Sequence, residues 1–197
     1  MSNIFIISAP SGCGKTSLVR ELCYANSSLE QTISFTTRGM REGEENGKDY
    51  YFVTLGKFEN MIKQGHFIEQ QSVYNNYYGT TYESIKEITN TGKDAILEID
   101  YMGMLAIKRA LPHAISIYIL PPNINELEKR LVKRGLDKED VIKRRISQAS
   151  HELSYSKFSD FTIVNEEFNK ALTSLKSLIL ISKIRNCKEV EKLNMLF

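Results

Sequence analysis

The stretch that most constrains this chain is Ser8-Ala9-Pro10-Ser11-Gly12-Cys13-Gly14-Lys15-Thr16. The apolar run Ile4-Phe5-Ile6-Ile7 leads into it, and the helix-like segment Ser17-Leu18-Val19-Arg20-Glu21-Leu22 leads out. A strand, a loop of small residues, Gly-Lys-Thr and a helix together make the phosphate-binding loop pattern, which demands an α/β fold. Glycines at 12 and 14 let the backbone take unusual φ and approach a phosphate closely. The loop N–H groups and the positive end of the helix then face the anion. Lys15 is placed to reach the β- and γ-phosphates, and the Thr16 hydroxyl to hold a Mg²⁺ ion. Ala9 stands where the general motif opens with glycine; the Gly-x-Gly-Lys-Thr half is intact. The plainer alternative is a tight turn carrying a surface lysine.

A chain of 197 residues can bury a good core as one domain with small inserts. Its 26 basic and 24 acidic residues leave a net charge of +2. That balance argues against a nucleic-acid coat or a polybasic membrane anchor, so any basic surface must be local. Three cysteines, Cys13, Cys23 and Cys187, are too few and too irregularly spaced for a disulfide framework or a zinc site. They suggest a reducing compartment. Residues 1–3 carry no basic stretch, and the apolar run after them is too short for a signal peptide. No apolar run approaches the roughly 18 residues of a membrane helix. The expected location is the cytoplasm, with no membrane and no nucleic-acid partner; a homo-oligomer is compatible with the sequence.

Along the chain, strand 4–8 and a helix ending near Ala25 are followed by Thr32–Thr36, which reads as a short strand. Thr37–Lys48 is polar and Gly-rich: a solvated loop, or, given the spacing of its arginines, an anion site. Tyr50–Val53 reads as strand, Leu55–Gln64 as helix, Phe67–Tyr74 as a half-buried strand and Tyr77-Tyr78 as its return across an Asn75-Asn76 turn. Thr80 with Glu83 forms a capping box that opens a helix to about Thr91. Asp94–Asp100 is an apolar strand with acids at its carboxyl end, where ligands of parallel sheets sit. Glu98 and Asp100 share a face there, as metal or base-edge ligands or else as helix caps. Ala114–Leu120 is a buried strand. Asn123 and Glu126 cap a helix ending near Gly135, and Asp137 starts another that holds Lys143, Arg144 and Arg145. Phe161–Val164 is the last strand, before a helix from about Glu166 to Lys183 and a helical, fraying tail over 184–197. The order β-loop-α, a small mixed-β insert, then βαβαα-βα implies a phosphate-loop NTPase core with a parallel sheet flanked by helices. The expected parts are a core (1–33, 81–122 and 151–197), a β-rich nucleotide-binding flap (34–80) and a helical lid (123–150).

Residues 34–53 carry Thr36-Thr37-Arg38, then Arg41, Glu44, Gly47, Tyr50 and Phe52, a set that resembles the guanylate kinase signature in identity and spacing. The loop 8–16, Ala9 included, is similar to that family's. So are Asn76-Tyr77-Tyr78-Gly79-Thr80, Leu97-Glu98-Ile99-Asp100, Leu120-Pro121-Pro122 and Ile163-Val164-Asn165. The resemblance runs in order over nearly the whole chain. It implies the nucleoside monophosphate kinase fold and transfer of a phosphoryl group from ATP to GMP, and to dGMP, with Mg²⁺, in purine nucleotide metabolism.

By that resemblance Ala9 to Thr16 bind ATP, with Asn165 near the donor base; Asn165 could equally be a helix N-cap. Thr16, and Glu98 and Asp100 through water, serve the metal. Ser34, Arg38, Arg41, Glu44, Tyr50, Glu69, Tyr78, Thr80 and Asp100 form the GMP site. Lys15, Arg38, Arg134 and Arg145 assist transfer, the last two from the lid, where a solvated helix face is the plainer reading; Arg130 assists them. The chemistry agrees. Guanine offers donors at N1 and N2 beside an acceptor at O6, so carboxylates (Glu69, Asp100) and hydroxyls (Ser34, Thr80) can read it. Arginines and tyrosines (Arg38, Arg41, Tyr50, Tyr78) suit the acceptor phosphate. Departures from the family pattern are Glu98 for the usual Asp, Met102 for Gln, Gln71 for Ala and Asn75 for a turn Gly. Cys13 is either a small, size-tolerant residue or, beside a helix N-terminus and a lysine, a thiol of lowered pKa open to alkylation. Rival functions are a same-fold kinase with another phosphorylated acceptor and a peptide-binding module of the same fold; Lys15 and Thr16 argue against the latter.

Overall fold

A computed structural model describes residues 2–73, 75–134 and 139–185, and of residues 134, 139–145, 184 and 185 the main chain alone. The chain enters on β1 (Ile4–Ser8), crosses the loop, and turns into α1 (Lys15–Tyr24) and β2 (Leu29–Gln31). A second sheet follows: β3 (Phe35–Thr36), β4 (Tyr51–Phe52), α2 (Leu55–Lys63), β5 (Phe67–Val73) and β6 (Asn76–Thr81). The chain then returns through α3 (Tyr82–Asn90), β7 (Asp94–Ile99), α4 (Tyr101–Ala110) and β8 (Ile115–Leu120). It continues with α5 (Ile124–Arg134), α6 (Glu139–Ser154), a short 3-10 turn, β9 (Phe161–Val164) and α7 (Phe168–Arg185).

The main sheet has five strands in the order β2-β7-β1-β8-β9, and all its pairings are parallel. Its strands are apolar on both faces, as a sheet covered by helices on each side must be. Phe5 and Ile7 point into one core with Ile96, Ile117, Ile119 and Ile163, under α1 and α7. Ile6 points into the other with Ala95, Leu97 and Tyr118, under α3 and α4. Neighbours in sequence thus feed opposite cores, by the two-residue strand period. Fully buried side chains such as Phe5, Leu18, Ile96 and Met104 each contribute about 1.5–3 kcal/mol of burial. The register sets Ser8 beside Ile99 and Tyr118, and Leu120 beside Val164. The residues that leave these strands, 9, 100, 121 and 165, therefore emerge along one edge. β1 lies at the centre; the chain runs from it to one side through β2 and crosses to the other at β8, which opens a crevice at its carboxyl end.

The second sheet is mixed, in the order β4-β3-β6-β5. Its packing is aromatic: the buried Phe58 stacks on Phe67 with ring centroids 4.5 Å apart, and Phe35 stacks on the exposed Tyr51 at 4.7 Å. Asn75 turns the β5–β6 hairpin at φ 64°, a left-handed conformation that Asn tolerates.

Three sequence expectations change. Of the expected strand Thr32–Thr36 only Phe35–Thr36 is strand, as β3 of the second sheet; β2 (Leu29–Gln31) precedes it in the main sheet, with residues 32–34 crossing between the two. Apolar content cannot reveal such a switch. The helix after β6 is capped by Thr81, whose hydroxyl accepts from the Ser84 N–H at 3.1 Å, and not by Thr80. β6 runs on to Thr81 rather than ending at Tyr78, and alternation turns Thr80 to the other face. The last helix begins at Phe168 rather than Glu166. Asn123 caps α5 as expected, its side-chain oxygen accepting from the Glu126 N–H at 2.9 Å. Asp137, Gly135 and the tail 186–197 lie outside the described residues.

Candidate active site

The loop 9–14 joins the centre of the main sheet to the start of α1. Gly12 and Gly14 have φ of 91° and 84°, values that suit glycine. A Cβ on Gly12 would come within 2.9–3.0 Å of the Leu127 and Leu131 side chains, so the absence of one lets α5 lie against the loop. Gly14 is the N-cap of α1 and no side chain caps that helix, so its first N–H groups keep their donor capacity for an anion. Ala9 is buried, and Pro10 accepts from the Cys13 N–H at 3.3 Å to close the turn; Ser11 is half-buried. The Lys15 ammonium donates to the Ile99 carbonyl at 2.7 Å. An ammonium has three donors, so this contact parks Lys15 over the end of β7 with two more to offer.

Next to it, the Thr16 hydroxyl donates to Glu98 Oε1 at 2.5 Å, and Gln31 donates to Glu98 Oε2 at 3.1 Å. Glu98 therefore belongs to the loop, and Gln31 holds it, a role the sequence did not signal. Asp100 accepts from the Gly103 N–H at 2.8 Å as the N-cap of α4. The capping alternative is thus realised at Asp100, on the same strand end.

Glu69 is 7% exposed and lies on β5 opposite Thr80 of β6. Burial pushes its carboxyl up to about 7; the Thr80 hydroxyl and main chain and the Lys15 charge pull it down, and the Asp100 charge pushes it further up. The Thr80 hydroxyl also meets the Ser34 hydroxyl at 3.1 Å. A Cβ on Gly103 would lie 3.1 Å from Glu69 Oε2. Gly103 thus makes room for that carboxylate, a second residue the sequence did not single out. Only the packing of α4 on β5 exposes the need.

A third group sits on the second sheet. Arg38 donates to Glu44 Oε1 and to the Gly39 carbonyl, both at 2.7 Å, and lies 5.5 Å from the Tyr50 ring centre and 5.6 Å from that of Phe52. Glu44 also accepts from the Arg41 N–H at 2.8 Å. The Arg38 guanidinium holds its carboxyl below the usual carboxylate range. Glu44 thus braces Arg38. The Tyr50 ring meets Tyr78 edge-on at 5.9 Å, and burial pushes its hydroxyl up to about 12. Tyr50 feels the Glu98 charge, which links this group to the first two. The Arg41 side chain is exposed.

Asn165, just past β9, is neither a helix cap nor turned to solvent. It is 4% exposed, and its amide donates to the Cys13 carbonyl at 2.8 Å. Cys13 is fully buried, and burial pushes its thiol up to about 12. The expectation of a thiol activated by the helix and Lys15 is corrected: desolvation outweighs both nearby cations, Arg130 and Lys15. Arg134 and Arg145 lie on α5 and α6, and their side chains fall outside the described residues. Among the described residues no helix is long and apolar enough to cross a membrane.

Comparison with known proteins agrees with this geometry. The guanylate kinase family model matches residues 1–181. A guanylate kinase of Hydrogenovibrio crunogenus is 42% identical over 190 residues, covering 96% of this chain and 93% of the relative. One from Blochmanniella floridana is 47% identical over 182 residues, 91% of this chain and 87% of the relative. The crystal structure of guanylate kinase from Anaplasma phagocytophilum superposes with a TM-score of 0.78 at 27% identity, covering 94% of this chain and 88% of that one. With its phosphate loop on a five-stranded parallel sheet and its family match running from residue 1 to 181, the chain belongs to the guanylate kinase family.

Proposed function

We propose that this chain transfers the γ-phosphoryl group of ATP to GMP, and to dGMP, giving ADP and the nucleoside diphosphate, as a cytoplasmic enzyme of purine nucleotide metabolism. The observation that carries the reading is the placement of a buried carboxylate, Glu69, with the Thr80 and Ser34 hydroxyls, within electrostatic reach of the phosphate-loop lysine. That pairs a base-reading group on the second sheet with a donor-phosphate site at the carboxyl end of the main sheet. Guanine offers two N–H donors to one carboxylate. Adenine offers an acceptor at N1, which leaves a buried carboxylate unsatisfied at a cost of about 1–3 kcal/mol or more.

The chain divides by task into the core (1–33, 81–122, 151–197), the flap (34–80) and the lid (123–150). The loop from Ala9 to Thr16 holds the donor phosphates, with Lys15 leaving the Ile99 carbonyl for the β- and γ-oxygens. Arg38, oriented by Glu44 and the Tyr50 and Phe52 rings, binds the acceptor phosphate bidentately beside Arg41, Tyr50 and Tyr78. Asp100 stands with Glu69 at the base edge as a second acceptor. Arg134 and Arg145 approach from the lid and neutralise the migrating group, and lid closure excludes the water that would otherwise receive it. The Thr16 hydroxyl against the Glu98 carboxylate is a hard-oxygen pair. Among the described residues no three His, Cys, Asp or Glu converge into a full cage. This donor set suits Mg²⁺, which keeps most of its waters and takes few protein ligands. Thr16 would hold the ion directly and Glu98 and Asp100 through water; bound there, it neutralises phosphate charge. The positioning of both phosphates is the larger part of the work in phosphoryl transfer.

Coupled ADP release measured in parallel with GMP, dGMP, AMP, dTMP and UMP tests the reading. Turnover with the two guanine nucleotides alone is expected. Preference for any other acceptor overturns it.

A further inference from the structure

We infer that Asn165 is a positioning residue for the phosphate loop: its side-chain amide sets the peptide plane between Cys13 and Gly14. The inference rests on the reading that this loop holds the donor phosphates. The loop is intrinsically soft there. Gly12 and Gly14 both sit at positive φ, and a Gly-x-Gly segment can adopt several backbone states of similar energy. Something outside the loop must select one of them. A trans peptide is planar, so its C=O and N–H point in opposite directions. A donor that captures the Cys13 carbonyl on one side therefore turns the Gly14 N–H to the other.

The Asn165 amide captures that carbonyl at 2.8 Å across 152 residues of sequence, in a buried setting where such a bond is not exchanged for water. The contacting atom must be the amide nitrogen, because a carbonyl oxygen only accepts. Asn165 is itself pinned on both sides. Its N–H donates to the Leu120 carbonyl at 2.8 Å, and its carbonyl accepts from the Arg130 guanidinium at 2.9 Å. The amide is thus presented from the rigid end of the sheet, with α5 fastening it from above. Gly14 completes the fit, since a Cβ there would come within 2.7 Å of the Asn165 nitrogen. The loop glycine makes room for the nucleotide on one side and for this amide on the other.

The test separates this role from a contact with the donor base, using inorganic tripolyphosphate, which has the donor's phosphates and no base. Asn165→Asp keeps the shape and removes the donor; Asn165→Ala removes both. The expected result in each is a rise of about tenfold or more in the ATP KM and in the inhibition constant of tripolyphosphate. The GMP KM should stay within about twofold and the melting temperature near that of the parent protein. ATP weakening with tripolyphosphate inhibition unchanged would assign Asn165 to the base and overturn the inference. So would parallel loss of ATP and GMP binding with a lowered melting temperature, or failure of both variants to fold. A parent protein that binds tripolyphosphate yet moves no phosphoryl group to GMP would sink the functional reading alone. The comparison of tripolyphosphate binding among the variants would still decide the role of Asn165.

Discussion

Glu69→Gln should move stability and ligand affinity in opposite directions. Burial pushes the Glu69 carboxyl from 4.5 up to about 7, so holding it charged in the folded protein costs up to about 3 kcal/mol. The sign follows from proton counting. Between pH 4.5 and 7 the folded chain binds more protons at this site than the unfolded chain, so stability falls as pH rises across that window. Glutamine carries no charge. The variant should therefore match the parent near pH 4.5 and exceed it by about 1–3 kcal/mol at pH 8, read as the difference in urea unfolding free energy. GMP should respond the other way. The carboxylate accepts charge-assisted bonds from two guanine donors, and an amide supplies one acceptor and one opposing donor. Affinity for GMP should fall by about 2–4 kcal/mol at pH 8 by titration calorimetry, and AMP should not weaken in parallel. In the parent, GMP affinity should rise with pH up to about 7 and then level, with proton release on binding below that point. A variant that loses stability and GMP affinity together at pH 8 would refute the reasoning, since Glu69 would then be a structural acceptor satisfied in the folded state.

Lys15→Ala should reduce turnover by about 10²–10³-fold while GMP affinity stays within about twofold. The GMP titration belongs at pH 8.5, because Lys15 also holds the Glu69 carboxyl down; loss of GMP binding there by a folded variant would contradict separate donor and acceptor sites. Gly103→Ala should push on Glu69 Oε2, 3.1 Å from the added methyl, and raise the GMP KM several-fold, while helix propensity offsets up to about 1 kcal/mol of the strain in stability. Unchanged steady-state kinetics would show that Glu69 has room to shift. Cys13, fully buried with its thiol pushed up to about 12, should resist iodoacetamide at pH 8 in the folded enzyme and react once unfolded in urea. Rapid inactivation that ADP prevents would restore the reactive thiol.

Much of the fold was legible because its determinants are local. The strand–loop–Gly-Lys-Thr–helix run declares itself within 20 residues, and the expected strands 4–8, 94–100, 114–120 and 161–164 match β1, β7, β8 and β9 to within a residue at each end. β2 was not legible. Its three residues offer one buried position, Leu29, and its partner β7 lies some sixty residues on. The cap of α3 was misread by one residue because Thr80 and Thr81 are chemically alike. Only the extent of pairing with β5 decides which one turns to Glu69 and which to the helix.

The candidate residues were named by type and spacing, and types and spacings survive without a structure. A carboxylate can accept from guanine, an arginine can grip a phosphate, and a glycine can admit one. What those groups are in place was decided by tertiary packing. Glu69 gains its raised pKa from burial near Asp100, 31 positions on. Cys13 is fully buried in the core cluster that also holds residues of α5, β9 and α7, and that burial raises its thiol. Glu44 is drawn into an ion pair with Arg38. Asn165 reaches a carbonyl 152 positions away. The sequence by itself determined which chemistry the chain can carry, because side-chain chemistry and strand or helix period are properties of neighbours in the chain. Tertiary structure decided charge state, exposure and orientation, because desolvation and hydrogen bonding depend on atoms that only the fold brings within a few ångströms.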